Sequence, residues 1–213
     1  MTDIFRIIEG AGVVPVVKIN CAKNAANMAE AFLKGGLQIV EITFRSSAAE
    51  EAIRAISHSV QDICVCAGTV LSVETAKRAV DAGAGAIISP GTNPEVVSWC
   101  VEQGIPVIPG CATPSDVERC LGFGLDTVKL FPAEVLGGVK YLKALYGPYP
   151  EVKFMPTGGI SPQNLKDYLA QKNVLACGGS WIAPEVLIDG SKFNRITELA
   201  VEAVKLTHEA RGY

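Results

Sequence analysis

The chain has 213 residues, 49% hydrophobic and 19% charged, with a formal charge of −3, values of an ordinary globular protein able to bury a substantial core. A mildly acidic chain without a Lys/Arg cluster lacks the basic face that nucleic acid requires, so no nucleic-acid partner is expected. No apolar run reaches the roughly 18 to 20 residues of a membrane span, and MTDIFRIIEG lacks the basic-then-apolar order of a secretory leader, which predicts a cytoplasmic protein without membrane association.

Taken in chain order, a short N-terminal helix is followed by eight strand-like runs: VVPVVKI (13–19), LQIVEITF (37–44), ICVCAGT (63–69), AGAIISP (84–90), IPVIPG (105–110), DTVKLF (126–131), EVKFMP (151–156) and NVLACGG (173–179). Between them lie stretches such as AKNAANMAEAFLKGG, SVETAKRAVDAG and SPQNLKDYLAQ, with apolar spacings of three and four. Gly35, Gly36, Gly83, Gly104, Gly122 and Gly124 follow such stretches and are expected as left-handed caps. Strands alternating with crossover helices pair in parallel, and eight such units of about 27 residues predict one compact (β/α)8 TIM barrel over residues 1–213. An open doubly wound sheet would carry a glycine-rich dinucleotide loop after the first strand, and VVKINCAKN offers none.

Seven cysteines scattered through apolar runs fit buried thiols of a reducing compartment and predict no disulfides. There is no C-x-x-C, and His58 and His208 stand far apart in polar helical stretches, so both are expected on solvated helix surface and no metal site is expected.

In a barrel, chemistry belongs at the C-terminal strand ends. There the chain places Lys18, then Glu41, Thr43 and Arg45, Gly68-Thr69, Ser89-Pro90-Gly91, Lys129, and the loops PTGGIS and CGGSW. One strand-end cation simply snorkels and one Gly-Gly pair is simply a turn, but their recurrence at the same end of successive strands argues for a site. Alternation puts Ile39, Glu41 and Thr43 on one strand face and Thr127, Lys129 and Phe131 on another, opposite purely aliphatic faces. The aliphatic faces belong against the helices, so Glu41 and Lys129 are expected to point inward together. A buried charge must be paired, functional or both. A structural ion pair is one reading. The other is that a lysine desolvated beside Arg45 and Lys18 has a lowered pKa and serves as a nucleophile. Gly158-Gly159 before Ser161-Pro162, and Gly178-Gly179-Ser180, stand where barrels bind phosphate through backbone N–H groups, with Ser161 expected to cap the next helix.

The motifs VEITFR, AGTV, ISPG, VIPG, KLFPAE, PTGGIS and GGSW, in this order between Val13 and Trp181, closely resemble the class I 2-keto-3-deoxy-6-phosphogluconate (KDPG) and 4-hydroxy-2-oxoglutarate (KHG) aldolases. The resemblance implies a small (β/α)8 barrel, a homotrimer, that cleaves a phosphorylated 2-keto sugar acid to pyruvate and glyceraldehyde 3-phosphate in the Entner–Doudoroff route, without a metal or other cofactor. It implies Lys129 as the Schiff-base residue and Glu41 as the general acid/base. Arg45 and Thr69 would hold the pyruvate carboxylate, Pro90 and Phe131 would line the pocket, and Gly158, Gly159, Gly179 and Ser180 would bind phosphate. Relatives often carry Arg where this chain has Lys18, which offers a point charge without a bidentate fork and is counted only as an anion contact to be tested. Competing substrates are 4-hydroxy-2-oxoglutarate and the galactonate epimer. A non-catalytic sugar-acid-phosphate-binding barrel would be signalled by loss of Lys129 or Glu41, and both are present.

Overall fold

The computed structural model describes residues 4–212, so the expected domain limits at 1 and 213 lie outside the described residues. The first helix, α1 (Ile4–Ala11), leads into β1 (Val13–Val17). A short 3-10 turn, Ala22–Asn24, then precedes α2 (Ala25–Lys34), followed by β2 (Ile39–Thr43), α3 (Ala49–Ser59), β3 (Cys64–Gly68), α4 (Val73–Asp81), β4 (Ala86–Ile88) and α5 (Pro94–Glu102). The second half runs β5 (Val107–Ile108), β6 (Gly110–Cys111), α6 (Pro114–Gly122), β7 (Thr127–Leu130), α7 (Gly138–Tyr146), β8 (Lys153–Pro156), α8 (Leu165–Leu169), β9 (Cys177–Gly179), α9 (Glu185–Asp189) and α10 (Phe193–Arg211). Among the described residues no helix is long and apolar enough to cross a membrane.

All strand pairings are parallel, in a half-barrel sheet ordered β5-β4-β3-β2-β1-β9 and a three-stranded sheet ordered β6-β7-β8. Isolated parallel bridges, Phe154 to Val174 and Thr157 to Gly178, connect β8 with the β9 segment. The run expected as one fifth strand is divided at Pro109, where the chain leaves β4 and joins β7. Proline has no N–H for a ladder, while its carbonyl still accepts from Lys129 N at 2.9 Å.

The alternating strand faces segregate as their side chains require. Val40, Ile42, Val65, Ala67, Val128, Leu130 and Phe154 pack outward against helix residues such as Phe32, Ile53, Leu142 and Leu165. Their neighbours Val14, Ile39, Cys66, Ala86, Ile88, Ile108 and Met155 form a second cluster between the strands, which α1 covers with Ile4 and Ile8. Helix α10 lies against α2 and α8.

Local signals fared unevenly. Ser72 Oγ accepts from Thr75 N and starts α4 as its sequence suggests. Gly36, Gly83, Gly104 and Gly124 take positive φ, whereas Gly35 (φ −85°) does not and Gly122 is still within α6. Ser161 does not cap the helix after it. Regular helix begins only at Leu165, and the order before it comes from Asn164, whose Oδ1 accepts from Ser161 N at 2.8 Å. All seven cysteines are free. His58 is exposed on α3, and His208 lies on α10.

Candidate active site

Strand alternation turns Glu41 of β2 and Lys129 of β7 to the same interior space. Lys129 Nζ donates to Glu41 Oε1 at 3.1 Å and to Oε2 at 3.4 Å, and the residues are only 5% and 0% exposed. In the register, Glu41 lies beside Cys66 and Thr43 beside Gly68. A Cβ built on Gly68 would lie 2.1 Å from Glu41 Oε1, so glycine at 68 is what leaves room for the carboxylate. The Cys66 thiol is pushed up by its hydrogen bond with Cys64, by burial and by the Glu41 carboxylate. It therefore stays a protonated, unreactive thiol. Phe131, half-buried, places its ring centroid 5.7 Å from Lys129 Nζ. The Phe131–Pro132 peptide bond is cis.

The strand ends around this pair are tied to one another. Thr43 Oγ1 donates to Val17 O at 2.9 Å, and Thr92 Oγ1 to Gly110 O at 2.9 Å. Ser89 Oγ donates to Gly91 O at 2.7 Å, fixing the turn that carries Pro90. Thr69 has φ of +58°, a conformation costly for a β-branched residue and one that clusters at functional sites. Its neighbours hold it there, since Phe44 N donates to Gly68 O at 2.8 Å and Val70 N to Ile88 O at 3.3 Å. Arg45 follows β2 and is exposed at the rim.

Lys18 is engaged by a carboxylate of the chain itself. Its Nζ lies 2.8 Å from Glu185 Oε2, and Asn20 Nδ2 reaches the same oxygen at 3.2 Å. The Glu185 carboxyl is held below its usual range by the hydrogen bonds from Lys18 and Asn20 against a burial effect of opposite sign, with the charges of Lys18 and Arg45 adding to the lowering. Among the described residues, Arg45 is not locked to a carboxylate by a hydrogen bond or ion pair of the kind that holds Lys18.

The two glycine loops meet through the Thr157–Gly178 bridge. Gly158 O accepts from Glu134 N at 3.1 Å and Gly159 O from Asn164 Nδ2 at 3.0 Å. With both carbonyls engaged, the peptide planes of this loop are fixed in direction, as an anion loop requires. Gly179 is buried and Ser180 exposed beside them. Sequence reasoning passed over Glu134 and Tyr168, which support this loop. Tyr168 shares the apolar spacing of SPQNLKDYLAQ with Leu165 and Leu169, all three buried, and that spacing was its available signal. A separate cavity of about 730 Å³, lined by Ile4, Phe5, Ile63, Cys64 and Pro106, opens at the starts of the strands, the end opposite to Lys129.

The arrangement combines a buried amine, a carboxylate within reach of it, a rim guanidinium and a glycine loop held in a fixed orientation. It can form a covalent adduct with a carbonyl, move protons at that adduct and hold anionic groups on either side of it. A family model described as "Aldolase: KDPG and KHG aldolase" matches residues 4–199. The 2-dehydro-3-deoxy-phosphogluconate aldolase of Treponema pallidum is 45% identical over 206 residues, covering 97% of this chain and 98% of the relative. The KHG/KDPG aldolase of Escherichia coli K12 is 44% identical over 204 residues, 96% of each chain. Among solved structures, a KDPG aldolase from Legionella pneumophila with pyruvate captured at low pH as a covalent carbinolamine intermediate matches with a TM-score of 0.91 at 38% identity, covering 94% of this chain and 97% of that one.

Proposed function

The chain belongs to the KDPG and KHG aldolase family, and we propose that it works through an imine on Lys129 with Glu41 as the proton-transfer group. It is a carbon–carbon lyase that reversibly cleaves 2-keto-3-deoxy-6-phosphogluconate to pyruvate and D-glyceraldehyde 3-phosphate. The observation that carries the assignment of roles is the buried contact of Lys129 Nζ with Glu41 at 3.1 Å.

In this reading Lys129 passes a proton to Glu41 and its freed amine adds to the C2 ketone; Glu41 returns that proton to the carbinolamine hydroxyl, which leaves as water and gives a protonated imine. The imine accepts the electron pair of the C3–C4 bond as that bond breaks. Glu41 takes the C4 hydroxyl proton, the aldehyde departs, and the remaining enamine is protonated at C3 and hydrolysed to pyruvate. Arg45 and the Thr69 backbone and hydroxyl hold the carboxylate at the rim, with Pro90 and Phe131 lining the space. The amides of Gly158, Gly159 and Gly179 with Ser180 hold the distal phosphate, which orients the scissile bond without reacting. No metal or other cofactor takes part. Lys18 acts as a holder of Glu185 rather than as a primary anion contact.

We also infer that the half-barrel and the three-stranded sheet close into one eight-stranded (β/α)8 barrel forming a single domain over the chain. The Thr157–Gly178 bridge on one side and the continuous backbone through Pro109 on the other support closure. A cytoplasmic homotrimer accords with the family resemblance, and Leu71, Val135 and Val186, 61%, 84% and 74% exposed, supply apolar surface for association.

The test is reductive trapping. Pyruvate with borohydride should yield a covalent adduct that peptide mapping places on Lys129 and that Lys129→Ala abolishes, with or without EDTA. An adduct on another lysine, or cleavage that EDTA suppresses, removes the assignment. The name of the Escherichia coli relative favours a second substrate, 4-hydroxy-2-oxoglutarate, and kcat/KM on both compounds ranks them.

A further inference from the structure

The stretch after β7 does more than end a strand. Ala133 N donates to Thr157 O at 2.9 Å and Glu134 N to Gly158 O at 3.1 Å, so the pairing of β7 with β8 continues past both strands into the glycine loop. The Glu134 side chain then lies across that loop. A Cβ on Gly159 would sit 2.4 Å from Glu134 Cγ, and one on Gly138 would sit 2.8 Å from both Glu134 Oε1 and Tyr168 OH. Both glycines have positive φ, +83° and +58°. The far end of the carboxylate accepts a hydrogen bond from the hydroxyl of Tyr168, a residue of α8 with no solvent exposure. Burial and the adjacent carboxylate push the Tyr168 hydroxyl up, so it is the donor. One side chain thereby joins the strand carrying Lys129, the glycine loop and the helix behind it.

We propose that Glu134 and Tyr168 form a positioning pair that sets the distance of the Gly158–Gly159 loop from Lys129, and thereby favours 2-keto acids with a distal phosphate over unphosphorylated ones. The proposal rests on the reading of this loop as the phosphate site. Neither side chain is assigned to the reacting atoms. The pair acts through the loop amides, whose direction is fixed once Gly158 O and Gly159 O are bound. Such a role predicts a loss confined to substrates that use the far anion site, whereas a general structural role lowers all activity alike.

The experiment compares Tyr168→Phe and Glu134→Gln with the native full-length chain in cleavage of 2-keto-3-deoxy-6-phosphogluconate and in borohydride trapping of pyruvate, which has no phosphate. Tyr168→Phe is expected to raise KM for the phosphorylated substrate roughly tenfold while leaving the pyruvate trapping rate within about threefold. Glu134→Gln retains an acceptor oxygen for the tyrosine and should lie between the two. Equal losses in both assays, or no change in either, overturn the proposal. Should Tyr168→Phe fail to fold, Glu134→Gln, altered at an exposed residue, carries the same comparison. Ser180→Ala serves as the reference for the site itself. If it also spares the phosphorylated substrate, the phosphate site is misassigned and the proposal falls with it; if it shows the selective loss while Tyr168→Phe does not, only the positioning pair is wrong.

Discussion

Glu41 has no solvent contact and Lys129 almost none, so each compensates the charge of the other. Removing one partner of a buried pair leaves an uncompensated charge and costs about 3–5 kcal/mol, whereas replacing both by apolar groups is often close to neutral. Lys129→Met should therefore lower stability by that amount in denaturant titration, and Lys129→Met with Glu41→Leu should recover most of it while remaining inactive. Recovery of stability without activity separates the chemical role of the pair from its structural one. Glu41→Gln keeps the shape and should reduce turnover by roughly 10²-fold or more with the fold intact; unfolding instead would favour a purely structural ion pair. Gly68→Ala probes the same space from the neighbouring strand. Its added methyl would lie 2.1 Å from Glu41 Oε1, so the carboxylate must shift from the position in which it meets Lys129. Turnover is expected to fall at least as far as in Glu41→Gln.

Among the elements, α6 shows how a short local signal secures a strand that matters to the site. Thr113 and Asp116 form a capping box, in which Asp116 N donates to Thr113 Oγ1 at 3.3 Å and Thr113 N to Asp116 Oδ2 at 3.0 Å. The box anchors α6 immediately after β6, whose Gly110 is in register with Lys129. Burial raises the Asp116 carboxyl, but hydrogen bonds from the Thr113 hydroxyl and the Ala112 and Thr113 amides outweigh it and leave the group below its ordinary value of 3.8. A carboxyl depressed in the folded state stabilises fully above its unfolded value and loses that contribution as pH falls. The Tm gap between the native chain and Asp116→Ala should therefore be constant near neutrality and narrow below pH 3.8. At neutral pH, loss of the cap costs about 1 kcal/mol, or roughly 2–4 °C in Tm. A gap that widens on acidification would contradict this assignment.

Across the whole molecule, the two ends of the strands do different work. The C-terminal ends carry polar side chains and glycine loops, while α1 packs across the N-terminal ends, with Ile8 fully buried among Val14, Ile39 and Met155. Ile8→Ala should cost about 2–5 kcal/mol, a Tm drop of roughly 5–15 °C, by opening a cavity in that cluster. Pyruvate trapping at Lys129 below the transition should be unchanged. Loss of trapping in the folded variant would show that the two ends are coupled.

The amino-acid sequence by itself determined the order of alternating strands and helices, the inward face of β2 and β7, and the pairing of Glu41 with Lys129. These follow from period-two alternation and from the cost of burying a lone charge, both of which are local or nearly so. Tertiary structure alone decided the rest. Division of the fifth run at Pro109 depends on which neighbour each half pairs with. Lys18 turned to Glu185, 167 positions away, and no spacing along the chain foretells that contact. Ser161 looked like a cap because a serine before an apolar run usually is one, but the packing of the glycine loop gave its amide to Asn164. Glu134 stood in plain view within KLFPAE, yet its partner Tyr168 lies 34 positions on, in α8. Contacts between side chains remote in sequence arise only when the sheets bring their strand ends together, and the support of the glycine loop is built from such contacts.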